Sequence, residues 1–397
     1  MMNDNQHIPT GYKPSPLGII PEDWEVKRLG DIAEITSGTT PSRDNRSFYS
    51  NGTIPWVKTT DLNNGVLNKT EELVTEAAIE QTSLKVLPTG TVLVAMYGGF
   101  NQIGRTALLG MDATINQALS ALVCKQGVFN SYVLAWLNCK VGDWKRLAAS
   151  SRKDPNITGK DVERFPILVP KMEEQQRIVS VLSLWDTAIA KQTALIEQLT
   201  LRKRGLMQQL LTGKKRLKGF EGSSFKMMSF DKIANTINVK AFQISKSDYQ
   251  EKGKTPIVDQ GQMFIAAYSD SDKIFTNVPF ILFGDHTRII KWIDFPCIIG
   301  ADGVQAIKPK EEIDIKYLYY LLSNTELPNL GYSRHMSILK EKVFYVSTDI
   351  DEQKAIAECL SNADKEIEIQ KQKLAAMQEQ KKGLMQVLLT GKRRINQ

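Results

Sequence analysis

Residues 173–189 read EEQQRIVSVLSLWDTAI, and the segment returns at 351–367 as DEQKAIAECLSNADKEI. A second stretch, RKRGLMQQLLTGKKR at 202–216, returns at 380–394 as QKKGLMQVLLTGKRR. Both pairs keep one offset of 178 residues, and 174–216 and 352–394 are identical at 19 of 43 paired positions without a gap. This identity indicates an internal duplication.

Each copy has the apolar spacing of a coiled-coil helix, which alternates between four and three residues. In the first copy the predicted seam is Ile178, Leu182, Trp185, Ile189, Gln192, Ile196 and Leu199, continued by Lys203, Leu206 and Leu210. In the second copy it is Ile356, Leu360, Ala363, Ile367, Gln370, Leu374 and Met377, continued by Lys381, Leu384 and Leu388. Because the two stripes share one register, we predict that they pack together. The recurring glutamines and lysines either fix that register or lie at the edge of the stripe.

The repeated helices are long enough to act as spacers. The 38 residues from Glu174 to Leu211 make a rod of about 57 Å at a rise of 1.5 Å per residue. Gly213 and Gly391 follow the last apolar turns, at the position where a glycine ends many helices.

Two blocks of mixed strand and helix pattern precede the two rods and share a framework. WEVKRLGDIAEI near the start of the first block aligns with FKMMSFDKIANT in the second, and the later pairs IPWV/TPIV, TVLVAMYGG/FILFGDH and SYVLAWL/IKYLYYLL follow in the same order. Their loops differ. We therefore predict a mixed α/β protein with domains at 1–172 and 218–350 and helical spacers at 173–217 and 351–397.

Composition narrows the class of partner only slightly. The chain of 397 residues carries 51 Lys and Arg against 44 Asp and Glu. Its basic stretch from Arg202 to Lys218 suits phosphates, a partner protein or a solvated helix end. The four cysteines lack a CxxC spacing, so neither a disulfide framework nor a zinc site is indicated. Neither a signal pattern nor a membrane span is visible, and we expect a soluble, cytoplasmic protein.

Motifs for catalysis on DNA are missing from the sequence. An amino-methyltransferase of the kinds known has a glycine-rich cofactor loop and an (N/D)PP(Y/F) tetrapeptide for the extruded base, and neither occurs here. TGKK and TGKR resemble the end of a phosphate loop, but their lysines are followed by Lys or Arg rather than by Ser or Thr. We expect a non-catalytic chain that binds neither a cofactor nor a metal itself.

The chain resembles the specificity subunits of type I restriction-modification systems over essentially its full length. The resemblance is carried by GIIPEDWEVKRLGDIAEI at 18–35, FPILVPKMEEQQRI at 165–178, DIDEQKAI at 349–356 and the two GLMQ(Q/V)LLTGK segments. It implies that the blocks are target-recognition domains on double-stranded DNA and that the rods pair antiparallel. It also implies two methyltransferase subunits, which use S-adenosylmethionine, and two motor-nuclease subunits, which use ATP with Mg. The segment SRKDPNITGKDVERFPI at 151–167 departs from the pattern, since SRHMSILKEKVFYV at 333–346 matches it poorly.

Geometry supports the same expectation independently of the resemblance. A duplicated unit of domain and rod that folds on itself acquires a pseudo-two-fold axis, and such an axis makes the rods antiparallel. A two-fold protein on B-DNA presents equivalent surfaces about 34 Å, or one helical turn, apart. We therefore predict two short half-sites separated by a gap of unread sequence.

Base edges are read by Arg, Lys, Asn, Gln, Ser and Thr side chains, and polar loops after apolar strands are the natural places to look for them. In the first domain the candidates are Lys58, Thr59, Thr60, Asn101, Gln102, Arg105, Arg152, Lys153 and Asn156. In the second they are His286, Thr287, Arg288, Lys291, Ser333, Arg334 and His335. Ordinary surface loops are the competing interpretation. The histidines have no paired nucleophile or metal spacing that would make them catalytic.

Two other classes stay open at this point. One is a DNA-binding adaptor of a different modification or defence complex. The other is a non-catalytic coiled-coil scaffold, which accounts for the rods but gives no purpose to two domains with a common framework and different loops.

Overall fold

The computed structural model describes residues 8–149, 156–329, 331 and 334–395. It divides into two compact units. Unit 1 holds the chain up to Lys191 together with the part from Leu374 onward, and unit 2 holds Gln192–Lys373. Each unit therefore combines one mixed domain with segments of both long helices, so the compact bodies do not follow the linear order of domain and spacer.

Within the residues that the structure describes, unit 1 has twelve short strands and five α-helices before the first long helix. The strands are β1 (Tyr12–Ser15), β2 (Gly18–Pro21), β3 (Glu25–Arg28), β4 (Ala33–Ser37), β5 (Ile54–Val57), β6 (Val66–Leu67), β7 (Glu72–Val74), β8 (Val92–Ala95), β9 (Thr106–Leu109), β10 (Thr114–Ile115), β11 (Leu119–Cys124) and β12 (Pro166–Val169). The helices are α1 (Leu29–Ile32), α2 (Glu76–Gln81), α3 (Asn130–Cys139), α4 (Val141–Ala149) and α5 (Gly159–Arg164). The long helix α6 (Met172–Leu210) follows.

Unit 2 repeats this plan with fewer elements. Its strands are β13 (Phe225–Ser229), β14 (Ala234–Ile237), β15 (Gln243–Ile244), β16 (Thr255–Val258), β17 (Ala267–Ser269), β18 (Phe280–Gly284), β19 (Ile290–Ile293), β20 (Ile298–Gly300), β21 (Val304–Pro309) and β22 (Val343–Ser347). Its helices are α7 (Phe230–Ile233), α8 (Ile315–Ser323), α9 (Met336–Glu341) and the first part of the long α10 (Ile350–Leu388), whose residues from Leu374 on belong to unit 1.

The sheets of the two units have matching orders. Unit 1 contains a sheet ordered β4-β11-β8-β9-β6 and a smaller one ordered β10-β5-β7. Unit 2 contains β14-β21-β18-β19 and β15-β20-β16-β17. The central strands β8 and β18 are buried along their whole length, which explains why both read as continuous apolar runs. The predicted common framework is confirmed by these matching orders.

The poorly matching segment before each long helix also has a structural counterpart. Helix α5 packs on α1 in unit 1, and α9 packs on α7 in unit 2. Thr158 caps α5 with its side chain, whereas His335 occupies the same place before α9 without a side-chain cap. One helix end is thus capped by a hydroxyl, and the other begins at a buried histidine whose N–H donates to Asp285 O.

The stripes that the sequence predicts as a seam run along both long helices. Every residue of the two stripes is buried or half-buried. Among the buried ones, Ile178 is 2% exposed and Leu360 is 0% exposed. In unit 2, Gln192 lies against Gln370 and Lys203 against Asp364. In unit 1, Asp186 lies against Lys381 and Glu174 against Arg394. Since residue numbers rise on one helix as they fall on the other, the segments are antiparallel within each unit. No helix in the described part of the chain is both long and apolar enough to cross a membrane.

The ends of the long helices are closed by glycines in the left-handed region. Gly213 has φ +67° and Gly391 has φ +70°. Gly213 N donates to Leu210 O and Gly391 N donates to Leu388 O, which is the five-to-two bond of a Schellman cap, and Lys215 N and Arg393 N donate further back to Gln209 O and Val387 O. An added Cβ at Gly213 would lie 3.0 Å from the Phe225 ring. Glycine is therefore required at these positions by both the backbone and the packing.

Replacing both Gln192 and Gln370 with leucine is expected to raise the unfolding temperature. Gln192 Nε2 donates to Gln370 Oε1 at 2.8 Å and to Gln370 O at 3.1 Å, in a seam position that is 6% exposed for Gln192. Two leucines remove a desolvated polar pair and add apolar contact, so we expect a gain of about 1–2 kcal/mol. Gln192→Leu alone is expected to destabilise the chain because the Gln370 amide loses its partner. Thermal unfolding of the single and double variants measures this, and a lower melting temperature for the double variant would contradict the seam assignment.

Candidate nucleic-acid interface

Lys58, Thr59 and Thr60 lie where β5 ends and a helical turn begins at Thr59–Asp61. Lys58 Nζ donates to Glu72 Oε1 at 2.7 Å and lies 3.4 Å from Glu71 Oε2. The hydrogen bond to Glu72 raises the pKa of Lys58. Lys58 is thus charged and already paired, whereas the neighbouring threonines, half-buried and exposed, carry hydroxyls at the surface.

Asn101, Gln102 and Arg105 belong to the loop between β8 and β9. Asn101 is exposed, and Gln102 Oε1 accepts a hydrogen bond from Arg105 Nη1 at 2.9 Å. A Cβ placed on Gly98 would contact both Gln102 Cβ and Thr59 Oγ1 at 3.4 Å. The structure therefore brings the two predicted clusters of the first domain to one surface, around Gly98.

The third predicted cluster of the first domain is only partly within the described residues. Arg152 and Lys153 lie outside them. Asn156 is half-buried, and its Oδ1 is buried without a hydrogen-bond partner in the described part of the chain. The next residue, Ile157, donates its N–H to Met96 O, so this segment is tied to the end of β8.

In the second domain, His286, Thr287 and Arg288 form a tight turn after β18. Arg288 has φ +61°, and its Nη1 donates to Leu327 O at 3.1 Å. His286 N donates to Gln260 Oε1 at 3.1 Å, and Thr287 Oγ1 donates to Gln260 O at 2.7 Å. The turn is therefore fixed to the loop after β16, and of these three side chains Thr287 is the exposed one.

Two candidates of the second domain are placed inside the protein, and the sequence prediction for them is corrected. Lys291 is 5% exposed, and its Nζ donates to Asp259 O at 2.7 Å and to Met263 O at 2.6 Å. Burial lowers its pKa. His335 is 0% exposed, with its N and Nδ1 both against Asp285 O. Strand alternation already pointed to this for Lys291, which shares a face of β19 with buried Ile293. Both residues fix loops and cannot reach a base edge from these positions.

Arg334 is exposed and lines a polar cleft of about 290 Å³ together with His286. Its neighbour Ser333 lies outside the described residues. The other polar side chains of the cleft, which the sequence did not single out, are Asn238, Lys240, Gln243, Asp285, Asp302 and Gln305. Asp285 follows β18, and the others follow β14 or flank β21, about sixty residues apart in the chain, where the pairing of β14 with β21 brings them together.

The basic stretch at the end of α6 contains two kinds of residue. Lys203 Nζ lies 2.5 Å from Asp364 Oδ1, and Arg216 is bound to Glu352. The remaining cations of the stretch are exposed and form no ion pair among the described residues: Arg202, Arg204, Lys214, Lys215 and Lys218. The same partition recurs at the end of α10, where Lys381 and Arg394 are paired and Lys392 and Arg393 are exposed.

A family model described as the type I restriction modification DNA specificity domain matches the chain twice, at residues 21–201 and 214–379. The MjaIX specificity subunit of Methanocaldococcus jannaschii is 31% identical over 199 residues, which are 48% of this chain and 45% of that protein. The EcoR124I/EcoR124II specificity subunit of Escherichia coli is 29% identical over 44% of each chain. The match thus spans about half the length of these two relatives. The MjaX specificity subunit of M. jannaschii, described as putative, is 26% identical over 97% of each chain.

Two solved structures share the fold. The S subunit of a type I restriction-modification system from M. genitalium superposes with a TM-score of 0.56 at 15% identity, over 92% of this chain and 96% of that one. A chain from a structural study of assembly and conformational transition in the type I system gives 0.60 at 16% identity, over 94% and 99%. At these identities the likeness shows the fold alone.

Proposed function

Because this chain belongs to the type I restriction-modification DNA specificity family, we propose that it is the DNA-recognition subunit of such an enzyme. Each mixed domain reads one half of a split sequence on double-stranded DNA, within the segments 1–172 and 218–350. The long helices, in 173–217 and 351–397, set the distance between the halves. The chain itself performs no chemistry on DNA.

The observation that carries the proposal is a common framework with different polar edges. The larger sheets share the order β4-β11-β8-β9 and β14-β21-β18-β19, and the smaller ones share β10-β5-β7 and β20-β16-β17, but the polar side chains at their edges differ. Thr59 and Gln102 flank Gly98 in unit 1, whereas Lys240, Gln305 and Arg334 line the cleft in unit 2. Sequence is read by side chains on base edges, and framework residues only position them. Two DNA-reading domains that share one framework and recognise two different sequences are expected to differ in this way.

The long helices support a partner that binds twice. Gly205 and Gly383 lie inside α6 and α10, and an added Cβ would meet nothing within 4 Å at either position. An interior glycine costs about 1 kcal/mol relative to alanine, so packing within the chain gives no reason to keep it. Gln208 and Gln386, one turn further on, are exposed in both copies. A surface kept in both repeats without an internal role suits two copies of one subunit.

We assign that partner to the methyltransferase subunit, with two motor-nuclease subunits joining for restriction. The methyltransferase brings S-adenosylmethionine to an adenine in each half-site, and the motor-nuclease uses ATP with Mg. The assembly works in the cytoplasm. The chain's own part is positional, since the reader domains select the site and the helices hold the partners over it.

A scaffold without a DNA role is the second candidate, and the duplicated helices alone are compatible with it. The exposed cations beside each helix cap weigh against this candidate, because a scaffold that does not bind DNA has no need for lysines and arginines without an ion-pair partner in both copies. A DNA-binding adaptor of another modification complex shares the recognition role and differs only in its partner.

Co-expression of the chain with its methyltransferase subunit is expected to produce adenine methylation at a bipartite motif. Single-molecule sequencing of random-sequence DNA after incubation with S-adenosylmethionine reads the motif directly. One methylated adenine in each half, with a fixed unread gap, is the expected result. Methylation that is continuous in sequence or unaffected by omission of this chain would reject the recognition role.

A further inference from the structure

The polar cleft of unit 2 has a rigid floor. Asp302 and Gly303 have φ +62° and +69°, so the turn between β20 and β21 is left-handed at two successive residues. Asp285 N donates to Gly303 O at 2.7 Å, and Met336 N donates to Asp285 Oδ1 at 2.7 Å. A Cβ on Gly303 would lie 2.7 Å from His286 Cδ2. The floor groups are thus bonded to one another and packed without spare room.

Three side chains around this floor, by contrast, are not bonded to it. Gln305 is half-buried at the start of β21, and Lys240 and Arg334 are exposed. Among the described residues none of these three side chains forms a hydrogen bond or ion pair. An amide and a guanidinium are the groups that make paired hydrogen bonds to adenine and guanine in the major groove, and an ammonium suits a phosphate. A fixed floor with unengaged donors above it is the arrangement that preorganised recognition requires.

The equivalent edge of unit 1 is built from other side chains. Strand register places Ala33 opposite Cys124 and Ala234 opposite Pro309, so Gln305 corresponds to Ser120 and Lys240 to Thr39. Ser120 is fully buried, and Thr39 Oγ1 shares a hydrogen bond with Ser83 Oγ at 2.8 Å. The framework is common to both domains, but at these two described positions unit 1 does not carry the donors found in the cleft of unit 2.

We propose that this cleft is the base-reading site of the second domain, with Arg334 on a guanine, Gln305 on an adenine and Lys240 on a phosphate. The inference rests on the proposed function and deepens it, because it names purine edges as what one half-site must present. It also moves the reading residues away from Lys291 and His335. The half-site read by this domain therefore contains a guanine and an adenine within the few base pairs that the cleft spans.

The test maps methylation motifs for the complex carrying Arg334→Ala, Gln305→Ala or Lys240→Ala. The first two are expected to relax one position each of a single half-site, at a guanine and an adenine, with about a ten-fold or greater loss of preference. Lys240→Ala is expected to weaken DNA binding at all sites alike and to lower the salt slope by about 1. Lys310→Ala, an exposed change just beyond the far end of β21, is the matched control and should leave the motif as it is.

The outcomes separate this inference from the proposed function. A wild-type complex without a bipartite motif would overturn both. A bipartite motif that neither Arg334→Ala nor Gln305→Ala alters would overturn the inference alone, and so would relaxation in both halves. Should Arg334→Ala fail to fold, Arg334→Lys decides, because it keeps the charge, loses the paired geometry and should still relax the guanine position.

Discussion

Glu352→Gln is expected to lower the unfolding temperature by roughly 10 °C. The Glu352 side chain is 0% exposed and accepts from Arg216 Nε at 2.7 Å, Arg216 Nη2 at 2.8 Å and Ser223 Oγ at 2.7 Å, with Ser347 Oγ as a further donor. Glutamine removes the charge and turns an N–H₂ toward donors, which leaves Arg216 without its partner. Breaking one side of a buried pair costs about 3–5 kcal/mol. Calorimetry of the full chain measures the change.

Glu358→Gln is the matched control, since Glu358 is exposed on the same helix and should melt like the wild type. Arg216→Gln is expected to be harmful as well, and the Glu352→Gln, Arg216→Gln double variant should lose less than the sum of the two single variants. A loss below about 1 kcal/mol for Glu352→Gln alone would show that the pair with Arg216 contributes no more to stability than a surface ion pair.

In unit 1, Glu174 and Arg394 form the ion pair that corresponds to Glu352 and Arg216, with one difference that determines how much stability its loss costs. Glu174 accepts from Arg394 at 2.6 Å and 3.0 Å and from Trp24 Nε1 at 3.0 Å. Arg394 also binds Asp23 at 2.8 Å and 2.9 Å and is 38% exposed. After Glu174→Gln the guanidinium keeps Asp23 and water, so we expect a smaller loss than at Glu352.

The repeat in the sequence predicted the helices, their register and their glycine caps because those features depend on local spacing. It also marked Glu174 and Glu352, and Arg216 and Arg394, as identical pairs, but it did not show what they do. Their partners include Ser223, which lies beyond the repeated segment. A side chain whose partner lies outside the repeated segment leaves no periodic signal in the sequence. These ion pairs are therefore visible only in the folded structure.

The recognition surface was harder to predict for a related reason. The loop after β18 stood out because it joins an apolar run to a polar one, and the structure does place His286 at the cleft. Lys240 and Gln305 did not stand out, since each is an ordinary polar residue beside a short strand. Lys291 was misassigned because a lysine in a polar loop looks exposed until strand alternation places it beside Ile293.

Gln353→Leu is expected to destabilise the chain by about 3 kcal/mol or more, because three main-chain groups lose their partner. Gln353 is 1% exposed, its Oε1 accepts from Asp314 N at 2.8 Å, and its Nε2 donates to Glu312 O at 3.0 Å and Ser347 O at 2.9 Å. The amide therefore joins the start of α10 to the start of α8 and the end of β22. Gln175 does the same in unit 1, with Phe129 N, Gly127 O and Pro170 O.

Gln353→Glu keeps the shape of the side chain and removes the amide N–H₂ group. Glutamate keeps the acceptor for Asp314 N but turns a second oxygen toward two carbonyl oxygens, so we expect it to be at least as harmful as leucine, when both are measured by denaturant unfolding. Gln386→Leu, on the exposed face of the same helix, should be nearly neutral. If glutamate were tolerated, the bonds to Glu312 and Ser347 would be dispensable. Gln353 and Gln175 each join a mixed domain to the long helix that follows it. The loss of Gln353 should therefore also make the length of the gap between the two methylated half-sites less uniform.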